Sequence, residues 1–428
     1  MPKASLDYPV LRRCEDQLET CTKCGFCMSA CPVYAEEKTE SSVARGKLML
    51  VRALLEGEID LTDELAEKLN RCTLCGTCAA ECPAGTNVPE LITAARAELT
   101  ARRGVSFPFN LVYRYLLPRR RLFGWTLRLA SWFQGLFLPR TRGTIRHLSF
   151  FLSALGKGRH IPQIASKFLR QSVPEVNRPP EGTPTIARVG YFTGCMTDYV
   201  FPGAGKKLIR FLNRNGIEVI VPRAQGCCGA PVFLGAGDFE TGRRFADANA
   251  EAFADVDAVI TDCATCASAM KEYPSLLADA NERRRAYAAF ADKVHDITEY
   301  LVDVVKLPPE AYTVRPEFKG KTVTWHEPCH LGRYLGVKEQ PRKILRSSPD
   351  ITFVEMDEAD RCCGMAGAFS VYYYDLSKKI ADRKVGNIVA TGADIVVTDC
   401  PGCEVQLIDA TTRNKAPQRV LHIMELFE

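Results

Sequence analysis

The chain has 428 residues, 46% of them apolar and 25% charged, with a formal net charge of +5. That balance belongs to a water-soluble globular protein with room for two or three domains. It excludes a short disulfide-stapled scaffold, and no uncharged stretch approaches the roughly 20 apolar residues that cross a bilayer.

Met1–Thr20 carries charges throughout and no apolar signal segment, so a reduced, cytoplasmic setting is the expectation. Then comes Cys21-x2-Cys24-x2-Cys27-x3-Cys31-Pro32, repeated as Cys72-x2-Cys75-x2-Cys78-x3-Cys82-Pro83. Between the runs, Val43–Leu55 has apolar residues at helical spacing, so residues 1–100 read as a helical domain with the cysteine runs as loops between helices.

Residues 101–185 form a separate segment. Residues 101–174 hold fourteen Lys and Arg and no acid, leaving −9 on the rest of the chain. Such a basic block inside an acidic protein points to an anionic partner surface or lipid. Arg114, Arg121 and Arg128 recur at seven-residue spacing, and Leu122, Trp125, Leu129, Trp132 and Leu136 form a stripe at that rhythm: a basic amphipathic helix. It fits a subunit contact or a membrane surface. Asn177–Pro184 reads as a linker.

From Arg188 onward strands and helices alternate. Val189–Thr193, Ile217–Val221, Ala258–Thr261, Thr322–Trp325, Ile351–Val354 and Ile395–Thr398 read as strands, with Lys206–Asn213, Glu240–Phe253 and Asp375–Val389 among the helices. Cys195, Cys227-Cys228 and Cys263-x2-Cys266 in residues 186–310 recur as Cys329, Cys362-Cys363 and Cys400-x2-Cys403 in residues 311–428. The offsets are 134, 135 and 137 positions, so one α/β unit is present twice. Each copy carries its cysteines at the carboxyl ends of strands, where open parallel sheets bind ligands. The fold class is therefore α+β and multidomain: a helical two-[4Fe–4S] ferredoxin-like domain, then two repeated cysteine-rich α/β domains.

Eighteen of the nineteen cysteines thus fall into four sets, and Cys14 is the ordinary thiol left over. In a ferredoxin run three cysteines hold one cluster and the fourth serves the other. The expected sets are Cys21, Cys24, Cys27 with Cys82, and Cys72, Cys75, Cys78 with Cys31. Structural zinc also takes four thiolates and remains the alternative, above all for the later sets, where five thiolates exceed the needs of one cubane or one zinc. His326 and His330 flank Cys329 and are the candidate catalytic or tuning residues; buried hydrogen-bonding histidines are the plainer reading. No G-x-G-x-x-G follows a strand, so no flavin or dinucleotide site is expected in this chain. Gly203–Lys207 lacks the spacing of a phosphate loop and reads as a glycine-bearing helix start. Nothing points to nucleic acid.

The patterns C-x31-CCG-x33-C-x2-C and C-x32-CCG-x35-C-x2-C resemble the CCG domains of heterodisulfide reductase subunits. The full order, with Phe192–Met196 and His326–His330, resembles the iron–sulfur subunits of glycolate oxidase, D-lactate dehydrogenase and anaerobic glycerol-3-phosphate dehydrogenase. The resemblance implies two cubane clusters and one or two further [4Fe–4S] clusters, each noncubane with a bridging thiolate, in the five-cysteine sets. It implies an electron-transfer subunit of a membrane-associated flavoprotein oxidoreductase. A separate FAD subunit would oxidise a 2-hydroxy acid or glycerol 3-phosphate, and electrons would leave to a quinone, a membrane subunit or another carrier. The chain would sit peripherally on the inner face of the cell membrane through residues 101–174. The alternative it implies is a catalytic subunit that reduces a disulfide at noncubane clusters.

Overall fold

The computed structural model describes residues 7–107, 109–138, 140–142, 145–147 and 158–428. From residue 7 to Arg103 the described chain is helical between its loops, as the spacing requires. Helix Ala44–Leu55 buries Leu48, Val51 and Leu54, and helix Val88–Arg103 buries Leu91, Ile92, Ala95 and Leu99. The cysteine runs are not plain loops. Cys27 and Cys78 stand in short helices, Phe26–Ala30 and Thr77–Ala80. Each helix starts from a left-handed glycine, Gly25 (φ +87°) and Gly76 (φ +74°), and Lys23 and Leu74 are left-handed too. The two runs therefore trace one backbone path, which a β-carbon at either glycine would strain.

Helix Arg120–Phe137 confirms the amphipathic segment and turns the stripe outward, while Phe123 and Leu127 pack inward against the core. Ser131 and Gln134 face inward, and Gln134 exchanges two hydrogen bonds with the backbone of Ile164 (2.7 and 2.9 Å). Leu122, Trp125, Leu129 and Trp132 face outward, joined by Phe133; the side chain of Leu136 lies outside the described residues. The three arginines at heptad spacing do not share this helix. Arg114 lies before it and pairs with Asp238 at 2.7 Å. A three-stranded antiparallel sheet follows: β1 (Arg140–Arg142), β2 (Ile145–His147) and β3 (His160–Pro162).

The two α/β units share one topology. In the first, β4 (Val176–Asn177), β5 (Ala187–Tyr191), β6 (Ile217–Ile220), β7 (Ala258–Thr261) and β8 (Val294–Asp296) lie in the order β4-β6-β5-β7-β8. Only β4 runs antiparallel. In the second, β9 (Thr322–Trp325), β10 (Thr352–Val354), β11 (Ile395–Thr398) and β12 (Arg419–His422) lie in the order β10-β9-β11-β12, all parallel. Each of the six expected strands coincides with one of these to within two residues. Asn177 is not linker: it pairs at the sheet edge and donates from Nδ2 to the Val219 carbonyl (3.2 Å). Gly203–Lys207 opens helix Pro202–Arg214, as read.

One apolar core runs from Tyr8 through both α/β units to Phe427. The helical domain is seated on the first unit where Gly237 touches helix Val88–Arg103. A β-carbon on Gly237 would fall 2.3 Å from the Arg96 carbonyl carbon, so only glycine admits that approach.

Candidate metal centres

In the helical domain the cysteines gather in two clefts. One is lined by Cys21, Cys24, Cys27 and Cys82 and touched by Cys78; the other is lined by Cys31, Cys72, Cys75 and Cys78. The fourth cysteine of each run thus crosses to the cleft of the other run. The first cleft lies at the surface, with Cys24 exposed and Phe26 60% exposed beside it. In the second cleft Cys75 is buried, and burial pushes the Cys31 thiol up to about 12. Filling such a site with metal means displacing protons. Cys14 lines neither cleft. It is packed in the helical core, and burial raises its thiol to about 12.

In the α/β units the connections after the first three parallel strands bring five cysteines together in each copy. Cys195 and Cys329 follow β5 and β9, and Cys263 and Cys400 follow β7 and β11. These strand pairs are the switch points of their sheets, where neighbouring connections leave in opposite directions and open a crevice. The two copies agree in detail: Gly229 and Gly364, both left-handed, donate their N–H groups to Cys227 and Cys362 at 3.4 Å. In the second copy Cys363 Sγ lies 3.4 Å from Cys403 Sγ. A donor atom of His326 and these two sulfurs all lie within 4.8 Å of one another.

His326 is fully buried, and neither ring nitrogen has a hydrogen-bond partner among the described residues. Burial, then the charge of Lys384, lowers it to about 3, so it is neutral and offers both a lone pair and an N–H. An orphaned imidazole among converging thiols fits a metal centre there. His330 does something else. Its Nδ1 lies 2.7 Å from Ser268 Oγ on the first copy, and its ring stacks on Tyr334 at 4.6 Å. It ties the two copies together.

The thiol sets adjoin one another. Cys75 touches Cys362, and Cys329 also feels its charge. Cys263 touches Cys400, whose Sγ is 3.5 Å from Thr265 Oγ1. The Ala264 N–H donates to the Asp399 carbonyl across the same boundary (3.1 Å). From the surface cleft the order is Cys21/24/27/82, then Cys31/72/75/78, then the second copy, then the first.

Each set also has cations beside it, which sequence reasoning missed. Arg45 stands by Cys27 and Cys21 and donates to the Lys23 carbonyl (3.1 Å). Lys47 and Arg96, both buried, stand by Cys72. Arg333 and Lys384 stand by Cys362, and Arg120 by Cys195 and Cys227. Burial drives Lys384 down to about 8 despite the nearby thiols. A cluster held by thiolates carries net negative charge, so buried cations there offset its desolvation. These residues lie far from their thiols in sequence or inside ordinary helices, and no spacing marks them.

Comparison with known proteins agrees with this arrangement. Residues 189–271 and 323–408 match the CCG family, described as a cysteine-rich domain, and residues 17–86 match a 4Fe-4S dicluster domain. The chain is 30% identical over 424 residues to a probable glycolate oxidase iron–sulfur subunit of Bacillus subtilis, covering 96% of this chain and 94% of that protein. The chain belongs to the CCG-domain iron–sulfur subunits. Two further relatives come from methanogens. One is a subunit of the CoM/CoB fumarate reductase of Methanothermobacter marburgensis, 30% identical over 96% of this chain and 72% of that one. The other belongs to the dihydromethanophenazine:CoB–CoM heterodisulfide reductase of Methanosarcina acetivorans and is 29% identical, over 96% and 93%. As a CCG-domain iron–sulfur subunit the chain is an iron–sulfur subunit of an oxidoreductase. Among the described residues no helix is long and apolar enough to cross a membrane.

Proposed function

We propose that this subunit carries electrons, one at a time, from a separate flavoprotein that oxidises glycolate, lactate or glycerol 3-phosphate to a quinone or another carrier. Cys21, Cys24, Cys27 with Cys82 and Cys72, Cys75, Cys78 with Cys31 would each hold a cubane, and each five-cysteine CCG set a further [4Fe–4S] cluster. When bound, these groups supply one-electron redox chemistry; the chain supplies spacing, burial and charge. The observation that carries the reading is thiol-to-thiol contiguity, through Cys75–Cys362 and Cys263–Cys400. Entry is at the exposed Cys24 edge, where a partner can dock over Phe26, and the first CCG set stands last. Cytoplasmic placement on the inner membrane face belongs to the same reading.

A second reading is supported by the completeness of both CCG sets and their contact at Cys263 and Cys400: the paired centres reduce a disulfide themselves. Iron, acid-labile sulfide and zinc per chain after anaerobic purification test both. About 16 irons with matching sulfide support four [4Fe–4S] centres; about 8 irons with zinc in the CCG sets would end both readings. Reoxidation of the reduced subunit by a disulfide, without a flavoprotein, would select the second.

A further inference from the structure

The exposed stripe on helix Arg120–Phe137 is unusual for a protein surface. Trp125 is 63% exposed, Trp132 71% and Phe133 53%, with Leu122 and Leu129 exposed beside them. Apolar patches of this kind mark an interaction site. The surroundings show what kind. Beside the stripe opens a cavity of about 570 Å³ whose lining includes Arg120, Arg121, Arg128, Arg170, Arg223 and Trp125. Asp198 is the one carboxylate among its described lining residues, and Arg170 takes it at 2.7 Å. The other four guanidinium groups face the cavity without a carboxylate of its lining. The Nε–H groups of Arg120 and Arg128 are buried and have no hydrogen-bond partner among the described residues. Arg128 also donates to Gln171 Oε1 and Arg223 to the Val173 carbonyl (both 2.6 Å), so the lining is pinned in place with far more positive charge than its one carboxylate offsets, which suits a phosphate. Trp125 belongs to both features, so the apolar stripe and the anion-seeking cavity form one surface.

We propose that this surface seats the subunit on an anionic lipid membrane, with the lipid phosphate in the arginine cavity and the Trp125–Trp132 stripe in the headgroup layer. Aromatic rings with flanking arginines favour that layer, and anionic headgroups add attraction for each nearby cation. Orientation follows. Tyr199, which lines the cavity and receives Arg120 Nη1 at 3.4 Å, ends the helix that starts at Gly194 and carries Cys195. The first CCG set is thereby brought to the lipid surface, while entry at Cys24 stays open to a soluble partner. This deepens the proposed electron path and rests on it for its meaning, though membrane seating is measurable without electron flow.

The test is co-flotation of the cluster-loaded, full-length protein with phosphatidylglycerol/phosphatidylcholine vesicles and with phosphatidylcholine vesicles alone. Quenching of tryptophan fluorescence by brominated lipid reports depth. The expected result is binding to the anionic vesicles, quenching, and weak binding to neutral ones. Arg121→Glu changes the local charge by two and should lower affinity about 30-fold. Trp132→Ser should lower it at least about tenfold and shift the quenching. Both positions are exposed, and unchanged iron content shows that the variants fold. Equal binding to both vesicle types, binding unaffected by both variants, or no binding would overturn the proposal. So would a flavoprotein subunit that covers Trp132 while vesicles do not bind, or inorganic pyrophosphate that binds the cavity while vesicles do not. None of these results touches the electron path.

Discussion

Replacing Arg96 with Met probes stability and redox tuning together. Arg96 is buried in helix Val88–Arg103 and donates to the carbonyls of Cys72 (2.8 Å), Asn70 (3.1 Å) and, across the domain boundary, Leu234 (3.3 Å). Hydrogen bonds from a charged donor contribute about 1.5–3 kcal/mol each, so the two shorter ones contribute about 3–6 kcal/mol. Burial lowers the affinity of Arg96 for its proton, which shows that holding this cation costs part of that gain. The net loss expected for Arg96→Met is about 2–4 kcal/mol. The redox effect is separable. Arg96 holds its charge against the Cys72 backbone and beside the Cys72 thiol, so its loss should lower the potential of a centre held there by tens of millivolts. Anaerobic denaturation measures the first, and EPR-monitored potentiometric titration of the ferredoxin-type centres measures the second. A variant within about 0.5 kcal/mol of the parent, with no centre shifted downward by more than about 20 mV, would refute both the clamp and the charge argument.

Glu272 gives a pH test. Burial, then Glu90, raises its carboxyl to about 8, so its folded-state value lies above the unfolded one. The associated stability is fully present below the unfolded value near 4.5 and is lost as pH rises through about 8. Glu272→Gln should therefore leave stability at pH 5 nearly unchanged and raise it by a few kcal/mol at pH 9, flattening the pH profile of denaturation. Gly237→Ala should cost about 3 kcal/mol or more, since φ is +72° and the Arg96 backbone blocks the new methyl group, whereas Gly57→Ala, in open space, should cost about 1 kcal/mol. Cys14→Ala should keep the full iron complement and lose about 1 kcal/mol in thermal unfolding; loss of iron would make Cys14 a ligand.

What was legible in the sequence divides by range. The cysteine runs and the repeat offsets gave the domain order, because ligand spacing is a local constraint. Strands such as Ala258–Thr261 and Ile395–Thr398 were legible because burial on both faces demands continuous β-branched runs. β8 and β12 were not: Val294-His-Asp is three residues long, and Arg419-Val-Leu-His mixes polar ends with a short apolar centre. The stripe around Trp125 was seen but not its direction. Helical periodicity gives a face, and packing sets its direction: Phe123 and Leu127 meet the core and Gln134 pairs with Ile164, which leaves the stripe outside. The cations Lys47, Arg96, Arg120 and Lys384 were illegible for a similar reason, since each approaches its thiols through tertiary packing. His326 and His330 looked equivalent beside Cys329, yet a short turn sends one toward Cys363 and Cys403 and the other to Ser268.

The serial order of the thiol sets can be broken at one link. Cys363→Ser with Cys403→Ser disables the second CCG set and leaves the other three intact. Freeze-quench EPR then follows reduction by a photochemical donor too bulky to reach buried sites. With the order as proposed, both ferredoxin-type centres become reduced as in the parent while the first CCG centre stays oxidised. Reduction of that first CCG centre at the parental rate would contradict that order.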